Sequence, residues 1–252
     1  MLKKILCGIL IVLSLSMSAG CKVTTDGKIV LGDGDGKASQ VNEMALQLME
    51  EKYGEVFNYC APAGSSYTGT RRFSVTCDSL PDRRIYVQIE RYQYADRTFS
   101  DNYCAVKYAD KIKELLQQAA DSKFDEAKVY YDPTGKPHSP NFDNNTTFEE
   151  YLADENTWMS VVIGIKQSDY IDVSQIESLV SELDDVLPYG TIHILFYAIA
   201  DNMYIDADED AFRTSGVNDT YYVRATLDRV DSEWSKSYKG IPFDSVPFKA
   251  GA

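Results

Sequence analysis

The sequence predicts an α+β fold: a mixed, mainly antiparallel sheet with amphipathic helices packed on one side. Three patterns carry that prediction. Phe73, Val75 and Cys77 alternate with polar residues, as do Ile85, Val87 and Ile89, which is the period of half-buried strands. Ala105, Tyr108, Ala109, Ile112, Leu115, Leu116 and Ala119 recur at helical spacing and form one apolar face, with Lys107, Asp110, Lys111, Lys113 and Glu114 opposite. Ile192 to Ile199 is apolar on both faces, as a central strand requires.

Val41, Met44, Ala45 and Leu48 predict a first helix, with Ser39 as N-cap and Gly54 as its stop. The two alternating segments read as an antiparallel hairpin turning at Pro81-Asp82. Asp101 is placed to cap the long helix over 105–119, and Lys128 to Tyr131 reads as a short strand. Residues 132–146 hold three prolines and no periodicity, which predicts a long exposed loop. Thr147 and Glu150 match a capping box, as do Ser174 and Glu177. The second box opens a helix lined by Ile176, Leu179, Val180, Leu183 and Val186 and ended by Pro188. Met159, Val161, Ile163 and Ile165 are in phase for a strand, and Tyr221, Val223, Ala225 and Leu227 for a last one.

A helix followed by a strand occurs at 102–131 and again at 173–199, so the body over 40–234 reads as one domain or as two similar halves meeting near 132–146. Beyond it, 235–252 is a Pro/aromatic tail carrying Ile241-Pro242-Phe243 and Val246-Pro247-Phe248. Its aromatics either pack back on the domain or offer a partner an adhesive strip.

At the N-terminus, Lys3 and Lys4 precede an apolar run from Ile5 to Leu15, and Ser18-Ala19-Gly20 lead to Cys21. That is the layout of a secretory signal peptide, and the run falls short of the ~20 residues that cross a bilayer. Ala19, Gly20 and Cys21 resemble the lipobox of the bacterial lipoproteins, with Ser18 standing where that family usually carries an aliphatic residue. The resemblance covers residues 1–21. It implies cleavage between Gly20 and Cys21, a lipid on Cys21, and an extracytoplasmic body attached to the membrane through acyl chains. Residues 21–39 are rich in Gly and Asp and read as a flexible tether, with an expected span of roughly 24 Å.

Residues 1–20 carry two lysines and no acid, so the remaining chain has 23 basic and 39 acidic side chains, a balance of −16. Such a body repels phosphate backbones and anionic lipid, which disfavours nucleic acid as a partner and leaves the acyl chains as the membrane contact.

With Cys7 in the signal and Cys21 lipidated, Cys60, Cys77 and Cys104 remain. Cys60 and Cys77 flank a Gly-, Ser- and Thr-rich turn between two strands, so they are either a cross-strand disulfide or two buried thiols. The chain has two histidines: His138 in the Pro-rich loop, read as solvated, and His193 in the central strand, read as a hydrogen-bonded core residue. No zinc-site spacing, nucleophile elbow, Walker loop or dinucleotide fingerprint occurs, so no catalytic residue and no cofactor is assigned. Asp206, Asp208 and Asp210 alternate as in a calcium loop, but Ala211 and Val217 stand where such a loop needs Gly and Glu. The leading expectation is a lipid-anchored binding or interaction domain that meets a protein or envelope ligand. A carboxylate-based hydrolase of envelope or extracellular polymer comes second, because paired acids need no sequence motif. An acidic calcium-binding module is third.

Overall fold

The computed structural model describes residues 22–23, 29–30, 38–65, 69–91, 97–133, 142–166, 173–199, 201–208, 221–230 and 233–239. It bears out the α+β class, with two sheets in place of the one expected. The backbone divides into two compact units, Met1–Lys107 with Lys136–Thr146 and Tyr108–Gly135 with Thr147–Ala252.

In the first unit, α1 (Ala38–Tyr53) buries Val41, Ala45, Leu48 and Met49, which fall on one helical face. It stops at Gly54, whose φ of 72° suits a residue without Cβ and whose N–H returns to Glu50 O at 2.8 Å. The sheet is antiparallel in the order β1-β2-β6-β5-β4-β3, with β1 Lys22–Val23, β2 Ile29–Val30, β3 Phe57–Ser65, β4 Arg71–Cys77, β5 Leu80–Glu90 and β6 Thr98–Asp101. Phe73, Val75, Cys77, Ile85, Val87, Ile89 and Phe99 are its buried face. Helix α2 (Tyr103–Lys107) follows β6, and Asp101 Oδ1 accepts from Tyr103 N at 2.9 Å, so it caps this short helix and not one running over 105–119.

Three expectations change in this unit. Cys77 pairs with Leu80, so the hairpin turns at Asp78-Ser79 while Pro81 and Asp82 lie inside β5. Proline is tolerated there because β5 pairs with β6 only from Val87 onward and the β4 ladder is irregular between Val75 and Cys77. The segment read as a tether contributes β1 and β2, whose Val23, Ile29 and Val30 suit strands; Lys22 pairs with Val30, and Ile29 with Phe99 of β6. The loop over 132–146 is not exposed throughout: Phe142 and Thr146 are buried, while 134–141 lie outside the described residues.

The helix expected over 105–119 breaks at Tyr108, with φ −100° and ψ 5°, and the boundary between the units falls there. Helix α3 (Ala109–Asp121) opens the second unit, and the Tyr108 ring packs on Phe148 and Tyr151 at 5.3 and 5.7 Å. Helix α4 (Phe148–Leu152) carries the predicted capping box: Glu150 N donates to Thr147 Oγ1 at 3.1 Å and Thr147 N to Glu150 Oε2 at 2.8 Å. Helix α5 (Val173–Val186) starts at Val173, so Ser174 stands inside it and not at the cap position expected, and Glu177 bonds to Lys236.

The second sheet runs β11-β10-β9-β8-β7, with β7 Ala127–Asp132, β8 Trp158–Lys166, β9 Thr191–Ile199, β10 Tyr221–Val230 and β11 Glu233–Lys239. Strands β8 and β9 are parallel and the other pairs antiparallel, so β8 to β9 needs a crossover, which α5 supplies. Of the two helix–strand repeats seen in the sequence, 173–199 and the part of 102–131 from Tyr108 onward lie in this one unit, so the two units are not one repeat each. Residues 235–239 of the expected tail belong to β11, while 240–252 lie outside the described residues.

Helices α3 and α5 cover one face of this sheet. Phe124, just after α3, packs on Phe196 at 5.3 Å, and Asp184 of α5 accepts from Arg229 at 3.0 Å and Trp234 at 2.8 Å. A short α6 (Asp201–Tyr204) covers part of the opposite face, so the helices are not all on one side as expected. No helix among the described residues is long and apolar enough to cross a membrane.

Candidate functional site on the open sheet face

Strand alternation sorts β9 into two sets. Ile192, Ile194, Phe196 and Ala198 are fully buried toward α3 and α5, whereas His193, Leu195 and Tyr197 point to the other face. Register then aligns a row across all five strands of that face: Asp132 beside Ser160, Ser160 beside His193, His193 beside Asp228, and Asp228 beside Ser235. Five polar side chains thus stand side by side on a sheet whose reverse buries Val161, Ile194 and Leu227 behind them.

Within this row His193 Nδ1 and Asp228 Oδ1 share a hydrogen bond, with the side chains 32% and 38% exposed. His193 is therefore hydrogen-bonded, as the sequence suggests, but it is a solvent-facing residue and not a core one. A neutral imidazole whose Nδ1–H donates to a carboxylate leaves Nε2 as a lone-pair acceptor, and an imidazolium leaves it as a donor. The pair can accept from or donate to a bound group, or take a proton from water. Ser160, Asp228 and His193 are the residue types of a nucleophilic triad, but among the described residues no hydrogen bond joins Ser160 to His193. Trp158 and Thr191 stand in the next row of the same face, as does Val230, which is 52% exposed.

On the other side of the polar row the face turns apolar. Tyr130, Val162, Leu195 and Tyr197 meet Tyr204 and Ala207, which descend from α6 and the turn after it. Lys128 Nζ donates to the carbonyls of Tyr204, Ile205 and Ala207 at 2.6, 3.0 and 2.9 Å and lies 4.8 Å from the centre of the Tyr204 ring.

A second polar cluster occupies the first unit. Asp101 accepts from Lys52 Nζ at 2.9 Å and Tyr53 OH at 2.7 Å, and the Tyr53 ring stacks on Tyr103 at 4.1 Å. Tyr103 OH donates to Glu55, which also accepts from Ser79 at 2.9 Å. Burial alone raises the Glu55 carboxyl, but the bonds from Tyr103 and Ser79 outweigh it, and it titrates below its usual value. Burial, with the Asp101 carboxylate adding to it, pushes the Cys104 thiol up to about 12, and burial also raises Cys77. Both thiols are protonated near neutral pH and are poor nucleophiles. This cluster holds α1 against β6 and is structural.

The other residues singled out by sequence are dispersed. Cys60 and Cys77 are free and are neither the disulfide nor two buried thiols: Cys60 is exposed at a bulge, with its Sγ 3.6 Å from Thr76 Oγ1, and Cys77 is buried in the core. Asp206 and Asp208 are exposed after α6, and no group of three metal-ligating side chains forms among the described residues. Gly20, Cys21, His138 and Asp210 lie outside the described residues. Sequence reasoning missed Asp228, Ser160 and Lys128, because their meaning depends on strand register, which one chain's pattern does not disclose.

No protein-family model matches the chain, and no curated protein matches it. Among solved structures it is similar to a crystal structure of a DUF5037 family protein from Ruminococcus gnavus ATCC 29149, at 12% identity and a TM-score of 0.45, over 75% of this chain and 92% of that one.

Proposed function

We propose that this chain is a lipid-anchored extracytoplasmic binding protein whose ligand face is the partly open face of the second sheet around His193 and Asp228. The observation that carries the ligand face is the row Asp132–Ser160–His193–Asp228–Ser235, with a solvent-facing His–Asp pair at its centre and aromatic and aliphatic residues on both sides. Such a mixture suits a protein or envelope ligand that brings hydrogen-bonding groups and some apolar surface. The acidic balance disfavours a nucleic-acid ligand.

The anchor rests on the run from Lys3 to Cys21. Cys21 stands one residue before β1, so the lipid would hold the edge of the first sheet directly and not the far end of a leash. Cys21→Ala in the full chain should abolish labelling by a clickable fatty acid and move the protein from the membrane fraction to the soluble one. Unchanged labelling would sink the anchor.

A second reading, hydrolysis of an envelope polymer, is favoured by the same pair: Asp228 orients His193 through Nδ1, and Nε2 could draw a proton from water. It differs from the carboxylate pair expected from sequence in placing the base on an imidazole.

A further inference from the structure

Residues 201–208 cross the apolar half of the open face as a strap. Among its described side chains Tyr204 and Ala207 are buried, while Asp201, Asn202, Ile205, Asp206 and Asp208 are exposed, Ile205 to 75%. A single helical turn lying on the face of a sheet is the kind of segment that opens locally, without unfolding the sheet beneath it. Three of its carbonyls converge on the single ammonium of Lys128, and the carbonyl of Ala207 also accepts from Tyr130 OH at 3.0 Å. The Tyr204 ring lies under Lys128 Nζ at 4.8 Å and Lys166 Nζ at 5.5 Å. A lysine usually keeps its ammonium in water; here it lies among backbone oxygens and an aromatic face, so β7 grips the strap by charge-assisted hydrogen bonds and cation–π attraction.

We propose that the 201–208 segment is a strap fastened by Lys128, and that its release extends the ligand face. What it uncovers adjoins the polar row. Val162 is two residues from Ser160 on β8, Leu195 two from His193 on β9, and Tyr130 two from Asp132 on β7, all on one face. With the strap closed, the face presents the polar row; with it open, the row gains an apolar floor of Tyr130, Val162, Leu195 and Tyr197. The gating role rests on the ligand face proposed above, but the latch does not, and it is tested without any ligand.

Hydrogen–deuterium exchange read by mass spectrometry on the full chain compares the wild type with Lys128→Met, which keeps the aliphatic stem and removes the ammonium, and with the milder Tyr130→Phe. Amides of 201–208 should exchange at least ten-fold faster in Lys128→Met and a few-fold faster in Tyr130→Phe, with β8, β9 and β10 unchanged in both. Unchanged exchange of the strap in both variants would overturn the latch. So would equal acceleration of β8 to β10, since Lys128 would then support the whole sheet and not the strap. If the latch holds while the ligand face fails its own crosslinking test, the strap stands as a mobile element without a gating role.

Discussion

Asp101→Ala should cost the first unit about 3–5 kcal/mol, the usual loss when one partner of a buried ion pair is removed and the other is left uncompensated. The side chains of Lys52 and Asp101 are 7% and 2% exposed, and the same carboxylate also accepts from Tyr53 OH and the Tyr103 N–H. Alanine strands an ammonium, a phenol and the first N–H of α2 at once. Lys52→Met combined with Asp101→Leu should recover part of the loss, because a buried pair replaced by apolar residues of similar size is often near neutral. The Tyr53 hydroxyl stays orphaned, so recovery is incomplete. Urea unfolding checks this: the midpoint should fall sharply in the single variant and less in the double.

Gly190→Ala should cost about 3 kcal/mol, combining strain at positive φ of roughly 1–2 kcal/mol with overpacking of roughly 1–3 kcal/mol. Gly190 has φ +80°, and an added Cβ would lie 2.6 Å from Thr157 O and 3.1 Å from Thr157 Cβ. That oxygen accepts from Thr191 N at 2.7 Å where β8 and β9 begin their parallel pairing, so the clash strikes the start of the central ladder. Nor can the glycine retreat easily, since Arg229 reaches both Gly190 O and Tyr189 O. Gly54→Ala is the control. Its φ of +72° carries similar strain, but the nearest atom is the flexible Asn144 Nδ2 at 3.4 Å, so it should cost about 1–2 kcal/mol. Thermal melts of the two variants should separate accordingly.

Periodicity in the sequence marked most long elements, because one apolar face per element decides it. Helix α1 with its Gly54 stop, the core faces of β4, β5 and β8, and the Thr147–Glu150 box are as read, whereas α1 starts at Ala38, so that Ser39 lies inside it and is not its N-cap. Short elements carry too few residues for a period to emerge, which is why β1, β2 and α6 escaped notice, while β11 is as long as β4 but holds only Trp234 and Tyr238 among polar residues and so shows no alternation. The break at Tyr108 was hidden for a different reason: the apolar stripe continues across it, and only the split into two units shows that Ala105 and Ile112 serve different cores. The candidate site was the least legible. His193 lies in a run that reads as buried on both faces, and its exposure and its partner Asp228 come from 35 residues of chain that must first be threaded into register.

The His193–Asp228 face is expected to meet its ligand outside the cell. Val230→p-benzoylphenylalanine places a photocrosslinker on that face, and Glu114→p-benzoylphenylalanine places one on the exposed side of α3. Irradiating cells that export the full chain should give a discrete crosslinked product from position 230 and none from 114, and the product should fade when Asp228→Asn accompanies the probe. Equal crosslinking from both positions, or none from 230, would contradict the account.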